Sequence, residues 1–270
     1  YLIDPATGQE TMMNDPKWLR APTIFEAFQK AGAKIAMVTA KDKLRLLLGK
    51  GLVFDGTAVA FSSEKADKVN MKDNGIENVC ALVGMGVPDV YSAELSEFVF
   101  AAGVKLLAQM KPDLMYLSTT DYVQHKYAPG SEGANRFYAM MDKYLGELDA
   151  GGAIIVIVAD HGMKDKHLAN GEPDVLYLQD VLDAKFGAGK TKVILPITDP
   201  YVVHHGALGS FATVYAYGPA VKEIMAVIAN QPGVDVVLDK AEGCARFELP
   251  EDRMGDVIVV SGGPKGSKVL

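Results

Sequence analysis

Leu114-Met115-Tyr116-Leu117, followed after a short polar interval by Asp121-Tyr122-Val123-Gln124-His125, is the stretch on which the fold turns. Four aliphatic and aromatic residues in a row read as a strand buried on both faces, the kind found in parallel sheets. A carboxylate and an imidazole then leave its carboxyl end. The pattern recurs downstream, where the apolar run Ile154 to Ala159 is followed by Asp160-His161-Gly162. Between the two lies a helix-length segment, Ser131 to Leu148, with Phe137, Met140, Met141, Tyr144 and Leu145 on one face. Strand, helix and strand in this order predict an α/β fold with a largely parallel sheet flanked by helices.

The alternation extends upstream. Pro22 to Gly32 reads as a helix with proline at its first position and glycine at its stop. Lys34–Thr39 follows as a strand and Lys43–Leu48 as a short helix. Ser92 to Met110 is a long helix that feeds the Leu114–Ser118 strand. Beyond Gly162 the texture changes to shorter strands (Val175–Leu178, Val193–Ile197, Thr213–Tyr217, Val234–Leu238) around one helix, Ala220–Asn230. These boundaries predict an α/β core over residues 1–173, a smaller inserted α+β cap over 174–247, and a return to the core over 248–270 through the strand Asp256–Val260. The chain enters the turn Asp4-Pro5-Ala6-Thr7-Gly8 at once and ends on the strand-like Lys268-Val269-Leu270, so the core reads as interrupted at both ends.

Composition excludes several classes. The 270 residues are 49% hydrophobic and 23% charged, which suits a globular protein with a sizeable core. A net charge of −7 without a run of Lys or Arg argues against nucleic-acid binding, so any anion pocket must be local. Cys80 and Cys244 are far apart, which argues against a disulfide framework and fits a reducing, cytoplasmic setting. No stretch approaches the ~18 apolar residues of a membrane span.

Ligand sites in open α/β sheets lie beyond the carboxyl ends of the strands. Two Asp/His pairs at two such ends point to one site with two divalent metals, since carboxylate oxygen and imidazole nitrogen are the usual ligands of catalytic zinc. Two ions ~3.5–4 Å apart can hold the attacking and leaving groups of a displacement at phosphorus. Asp121 and His125 are four apart, so a helical turn would bring both to one ion. Taken alone, that spacing equally describes an N-cap aspartate with a surface histidine. Lys41-Asp42-Lys43 follows another strand end, where two lysines could bind an anionic substrate group, although on the residues alone a solvated helix start with Asp42 near the cap is the plainer account. His204-His205-Gly206 in the cap segment reads either as a ligand loop or as a polar pair with a structural role.

These residues resemble the alkaline phosphatase superfamily and, within it, the phosphonoacetate hydrolase family. The resemblance covers nearly the whole chain. It rests on Met12-Met13-Asn14-Asp15-Pro16-Lys17, Thr39-Ala40-Lys41-Asp42-Lys43-Leu44, Ser118 to Lys126, Ala159-Asp160-His161-Gly162-Met163 and Ile197 to Gly206. It implies an alkaline-phosphatase-like sheet and a zinc-dependent hydrolase that cleaves the carbon–phosphorus bond of phosphonoacetate. Two Zn2+ ions are implied, one on Asp121 and His125, the other on Asp160 and His161, with Lys41 and Lys43 beside the substrate. A threonine nucleophile and an aspartate are expected upstream of Tyr1, and a third histidine beyond Leu270, so the 270 residues alone are expected to turn nothing over. Rival readings are a nucleotide phosphodiesterase or pyrophosphatase of the same superfamily, and a non-catalytic metal-binding fragment. The expected partner is a small anionic phosphonate, with a homodimer left open.

Overall fold

The computed structural model describes residues 1–162, 165, 167–195 and 209–262. The chain divides into two compact units, one formed by residues 14–163 and the other by residues 1–13 with 164–270.

The unit formed by residues 14–163 holds a parallel sheet. Outside it, in the other unit, β1 (Leu2–Ile3) and β2 (Glu10–Thr11) form a short antiparallel ladder. Helix α1 (Ile24–Lys30) opens the larger sequence of alternating elements, and its N-cap is Thr23, whose hydroxyl accepts from the Glu26 amide over 3.1 Å. The helix therefore begins two residues later than the Pro22 start expected from proline's preference. Capping by a side-chain oxygen set the boundary. Then follow β3 (Ile35–Thr39), α2 (Asp42–Leu48), β4 (Ala58–Ser62), α3 (Met71–Asn74) and α4 (Val79–Val83). The unit closes with α5 (Glu94–Met110), β5 (Leu114–Ser118), α6 (Tyr122–Lys126) and α7 (Glu132–Ala150).

The strand order is β4-β3-β5, all parallel. Every residue of β3 and β4 is buried, as expected of strands covered on both faces. Alternate side chains of β3 serve opposite layers. Ala36 and Val38 pack with Leu95, Phe98 and Leu106 of α5, while Ile35 and Met37 join Phe25 of α1 on the other face. β5 is an edge strand, and all five of its residues are only half-buried. Asn74 is buried at the end of α3, where its side-chain amide donates to the Ala60 carbonyl over 2.7 Å. Gly75 then takes φ +72° and its amide donates to Met71 O, closing the helix.

One expected core strand does not form among the described residues. Residues 153–159 form no ladder, and Ile154, Val156, Ile157 and Val158 are exposed. Their composition suits a strand, but a strand also needs a neighbour with free hydrogen-bonding groups, and composition does not supply one.

The other unit is built on an antiparallel sheet of order β6-β7-β9-β8. Its strands are β6 (Thr191–Ile194), β7 (Phe211–Ala216), β8 (Val234–Asp239) and β9 (Val257–Ser261). Helices α8 (Leu178–Phe186), α9 (Val221–Ala229) and α10 (Lys240–Phe247) accompany it. Leu178, Leu182, Val214, Ile224, Ile228 and Val259 form its core. Two expectations change here. Val175–Leu178, expected as a strand, precedes and enters α8. The Asp256–Val260 stretch, expected to rejoin the parallel core, pairs with β7 and β8 instead. A run of buried β-branched residues marks a central strand without saying in which sheet. The opening turn does form, with the Gly8 amide donating to Asp4 O over 2.7 Å between β1 and β2.

Candidate metal and substrate site

Register aligns the carboxyl ends of the parallel strands. Thr39 lies opposite both Ser62 and Ser118, so the segments leaving β3, β4 and β5 start at one level of the sheet. That is the edge at which open α/β sheets bind ligands. Lys41 and Asp121 both emerge there, two and three residues after their strands.

Asp121 sits at the N-cap position of α6, yet its side chain caps no amide. It instead accepts from His125 Nε2 over 2.9 Å, and the His125 amide bonds the Asp121 carbonyl over 3.0 Å. One helical turn has thus brought the carboxylate and the imidazole together, as their spacing predicts. Asp160 and His161 meet differently. The His161 amide donates to Asp160 Oδ1 over 3.1 Å, and His161 Nδ1 donates to the Gly162 carbonyl over 2.8 Å. A proton held on Nδ1 leaves Nε2 with its lone pair, the state in which imidazole binds metal. His161 Nε2 and Asp160 Oδ2 are 3.9 Å apart, and the side chains are 44% and 92% exposed. Two donors ~2.0 Å from a tetrahedral zinc ion lie roughly 3.3 Å from each other. The 3.9 Å separation of Asp160 and His161 is near that spacing. Asp121 with His125 would share an ion through Nε2 once the proton between them is displaced. No group of three or more His, Cys, Asp or Glu side chains is placed to hold one ion among the described residues. His204 and His205 lie outside the described residues.

Lys41 precedes α2, and its ammonium stands 5.8 Å from the centroid of the Tyr91 ring. Tyr91 in turn lies 6.3 Å from Tyr122, the residue after Asp121. The lysine segment and the Asp121/His125 turn are therefore bridged by two aromatic rings. Lys43 is the second residue of α2 and is exposed. Asp42 anchors the segment: its carboxylate accepts from Arg45 Nε over 2.7 Å and from Ser62 Oγ over 2.9 Å, while its own amide donates to Glu64 over 2.8 Å. Burial alone would raise the Asp42 carboxyl. The Arg45 and Ser62 hydrogen bonds, with the charges of Arg45 and Lys65, outweigh it and hold the group below its ordinary 3.8. A group depressed on folding stabilises the fold above its unfolded pKa and loses that contribution as pH falls through the folded value. Arg45→Met is therefore expected to cost about 1.5–3 kcal/mol at pH 7, with the gap to wild type closing in acid. Urea midpoints between pH 2.5 and 7 measure it, and a gap independent of pH would rule the coupling out.

Sequence reading did not single out Tyr91, Tyr122, Arg45 or Ser62. Tyr122 lies inside the Asp-x-x-x-His motif, but nothing in spacing marks Tyr91, which precedes α5 in an irregular loop. Beside α6 opens a cavity of about 450 Å³ lined by Tyr91, Tyr122, Tyr127, Lys126, Arg136 and Glu97, among others.

A family model described as type I phosphodiesterase / nucleotide pyrophosphatase matches residues 1–263. The chain belongs to this family. Solved structures similar to this phosphodiesterase-family chain include two crystal structures of phosphonoacetate hydrolase from Sinorhizobium meliloti 1021, one in complex with phosphonoformate and one with phosphonoacetate. Each is 64% identical, superposes with a TM-score of 0.94 and covers 100% of this family member. The family member spans 65% of the length of each matched chain.

Proposed function

We propose that this chain carries the substrate-selecting lysines and two metal-binding pairs of a hydrolase that splits phosphonoacetate into acetate and phosphate. The observation that carries the reading is the common level of Lys41 and Asp121 at one end of an in-register parallel sheet. It is supported by likeness, over all of this chain and 65% of the other, to a phosphonoacetate hydrolase solved in complex with phosphonoacetate. In this reading Asp121 and His125 would hold one divalent ion, and Asp160 and His161 a second. A bound divalent ion supplies Lewis acidity at a phosphoryl oxygen. Attack on phosphorus by a hydroxyl oxygen, supplied in the end by water, would form a P–O bond as the P–C bond breaks. The P–C electron pair passes to carbon, where the adjacent carboxylate delocalises it, and one proton lost from the attacking oxygen is balanced by one gained at carbon. Lys41, with Lys43, would bind that carboxylate and offset the growing charge. Asp42 positions Lys41 without touching substrate. The protein would work in the cytoplasm, where Cys80 and Cys244, their thiols pushed up by burial, stay reduced.

The test uses the chain joined to the third of the Sinorhizobium meliloti hydrolase that it does not span. This joined protein is expected to release phosphate from phosphonoacetate. Lys41→Ala should lower its kcat/KM for phosphonoacetate by about one to two decades, the worth of a lost charge-assisted hydrogen bond, while sparing 4-nitrophenyl phosphate, which has no carboxylate. Equal losses on both substrates would return Lys41 to the role of a solvated helix start. The aromatic cavity beside α6 favours a second reading, a nucleotide phosphodiesterase with a base stacked on Tyr91 and Tyr122. Faster turnover of a bis(nitrophenyl) phosphodiester than of phosphonoacetate would select it.

No described helix is long and apolar enough to cross a membrane.

A further inference from the structure

The backbones that carry Lys41 and Asp121 are both tied to the sheet or to the start of α5. The fully buried Thr39 hydroxyl donates to the Lys41 carbonyl over 2.8 Å, and Glu64 holds the amide that follows. On the other side, the Thr120 amide donates to Ser96 Oγ over 3.2 Å, and Ser96 is buried in the first turn of α5. The neighbouring Leu95 carbonyl accepts from Ser63 Oγ over 2.7 Å, in the segment leaving β4. The start of α5 is thus pinned to two of the segments that leave the strand ends. Tyr91 stands three residues before that helix, on a fixed turn. Its amide donates to Asp89 Oδ1 over 2.7 Å, and Ser92 Oγ donates to the Asp89 carbonyl over 2.8 Å. What a fixed backbone does not aim is the lysine charge, which rides on a flexible four-carbon stem. The Tyr91 ring centroid lies 5.8 Å from that ammonium and 6.3 Å from the Tyr122 ring. A cation within about 6 Å of a ring centroid is drawn to the negative face of the ring.

We infer that Tyr91 is a positioning residue whose ring aims the Lys41 ammonium at the substrate carboxylate, and so sets how strongly carboxylated phosphonates are preferred. The inference rests on the reading of Lys41 given above. Tyr91 acts through the lysine, with Tyr122 behind it, so the charge that meets the carboxylate is indexed to the turn that carries Asp121 and His125. Substrate choice and phosphorus chemistry are then held in register by aromatic contacts, although they sit on separate loops.

Kinetics and a spectroscopic signal test it. In the joined protein, Tyr91→Leu should lower the ratio of kcat/KM for phosphonoacetate to that for 4-nitrophenyl phosphate by about five- to twentyfold, the range of a partly desolvated cation–π contact. Tyr91→Phe keeps the ring face and should hold the ratio within about twofold. Added to Lys41→Ala, Tyr91→Leu should lower the ratio by less than about twofold more, because the cation it aims is gone. The signal needs no turnover. In the chain itself, with its lysines methylated by isotope-labelled formaldehyde, the Lys41 methyl resonance is assigned from its loss in Lys41→Arg. Its ring-current shift should vanish in Tyr91→Leu and persist in Tyr91→Phe. A Lys41 signal indifferent to Tyr91 would overturn the inference whether or not the joined protein turns over. So would equal damage from Tyr91→Phe and Tyr91→Leu, or an undiminished effect of Tyr91→Leu without Lys41. A loss from Lys41→Ala with none from Tyr91→Leu would overturn the inference and leave the reading of Lys41 standing. No loss from Lys41→Ala would remove that reading and the inference together.

Discussion

Asp160→Ala is expected to lower kcat/KM of the joined protein for phosphonoacetate and for 4-nitrophenyl phosphate together, by about three decades. The Asp160 carboxylate is 92% exposed and bonded only to the neighbouring His161 amide among the described contacts, so it has little structural work to lose. Its chemical work would be to hold a metal ion, and metal-ion stabilisation of a phosphoryl transition state is worth several kcal/mol, at about 1.4 kcal/mol per decade. Both substrates carry the phosphoryl group, so both should suffer. Zinc titration by calorimetry should lose one site in the same variant with an unchanged melting temperature. A loss confined to phosphonoacetate would move Asp160 from the metal to the substrate carboxylate. Unchanged rates on both would remove it from the site.

Gly75→Ala should cost about 3 kcal/mol, the largest stability loss expected of a single methyl group here. Two penalties add. Gly75 has φ +72°, a left-handed conformation that costs an L-residue ~1–2 kcal/mol. A Cβ at this position would also stand 2.2 Å from the Ala58 carbonyl oxygen, a backbone atom of a fully buried strand that cannot swing aside. Gly56→Ala separates the two terms, because Gly56 has φ +97° with nothing within 4 Å of its would-be Cβ. It should lose only the conformational ~1–2 kcal/mol. Thermal unfolding followed by calorimetry would compare them, with the change confined to the transition of residues 14–163. Equal losses would show that the approach to Ala58 is relieved at no cost.

The parallel sheet was legible because its strands are written as apolar runs closed by polar residues. Ile35–Thr39 and Leu114–Ser118 match their strands with no ambiguity of period, and both lead to the polar segments that carry the candidate ligands. β4 escaped notice: Ala58–Ser62 is short and follows a glycine turn, and alanine and serine carry little strand signal. Pairing was the part that could not be read. Residues 153–159 and 257–261 have the same β-branched texture, yet the first is unpaired and the second is the centre of an antiparallel sheet. Texture reports burial in the finished protein, whereas partners depend on distant backbone. Within the site, the Asp121–His125 contact followed from helical spacing alone. The Lys41–Tyr91–Tyr122 bridge joins residues from two loops and the start of α6, and no local pattern encodes it.

The levelled ends of β3, β4 and β5 also bear on how such a protein diversifies. Each loop at that edge is rooted in its own rigid strand, and Asp42 ties the lysine loop to Ser62 and Arg45 and not to the Asp121 turn. The side chains at 41 and 43 can therefore be varied around a fixed Asp42, with Tyr91 the contact through which a change at 41 reaches the Asp121 turn. Gene duplicates drifting in this loop would explore new leaving groups around an inherited phosphorus chemistry, and a selection library built there would follow the same route in the laboratory.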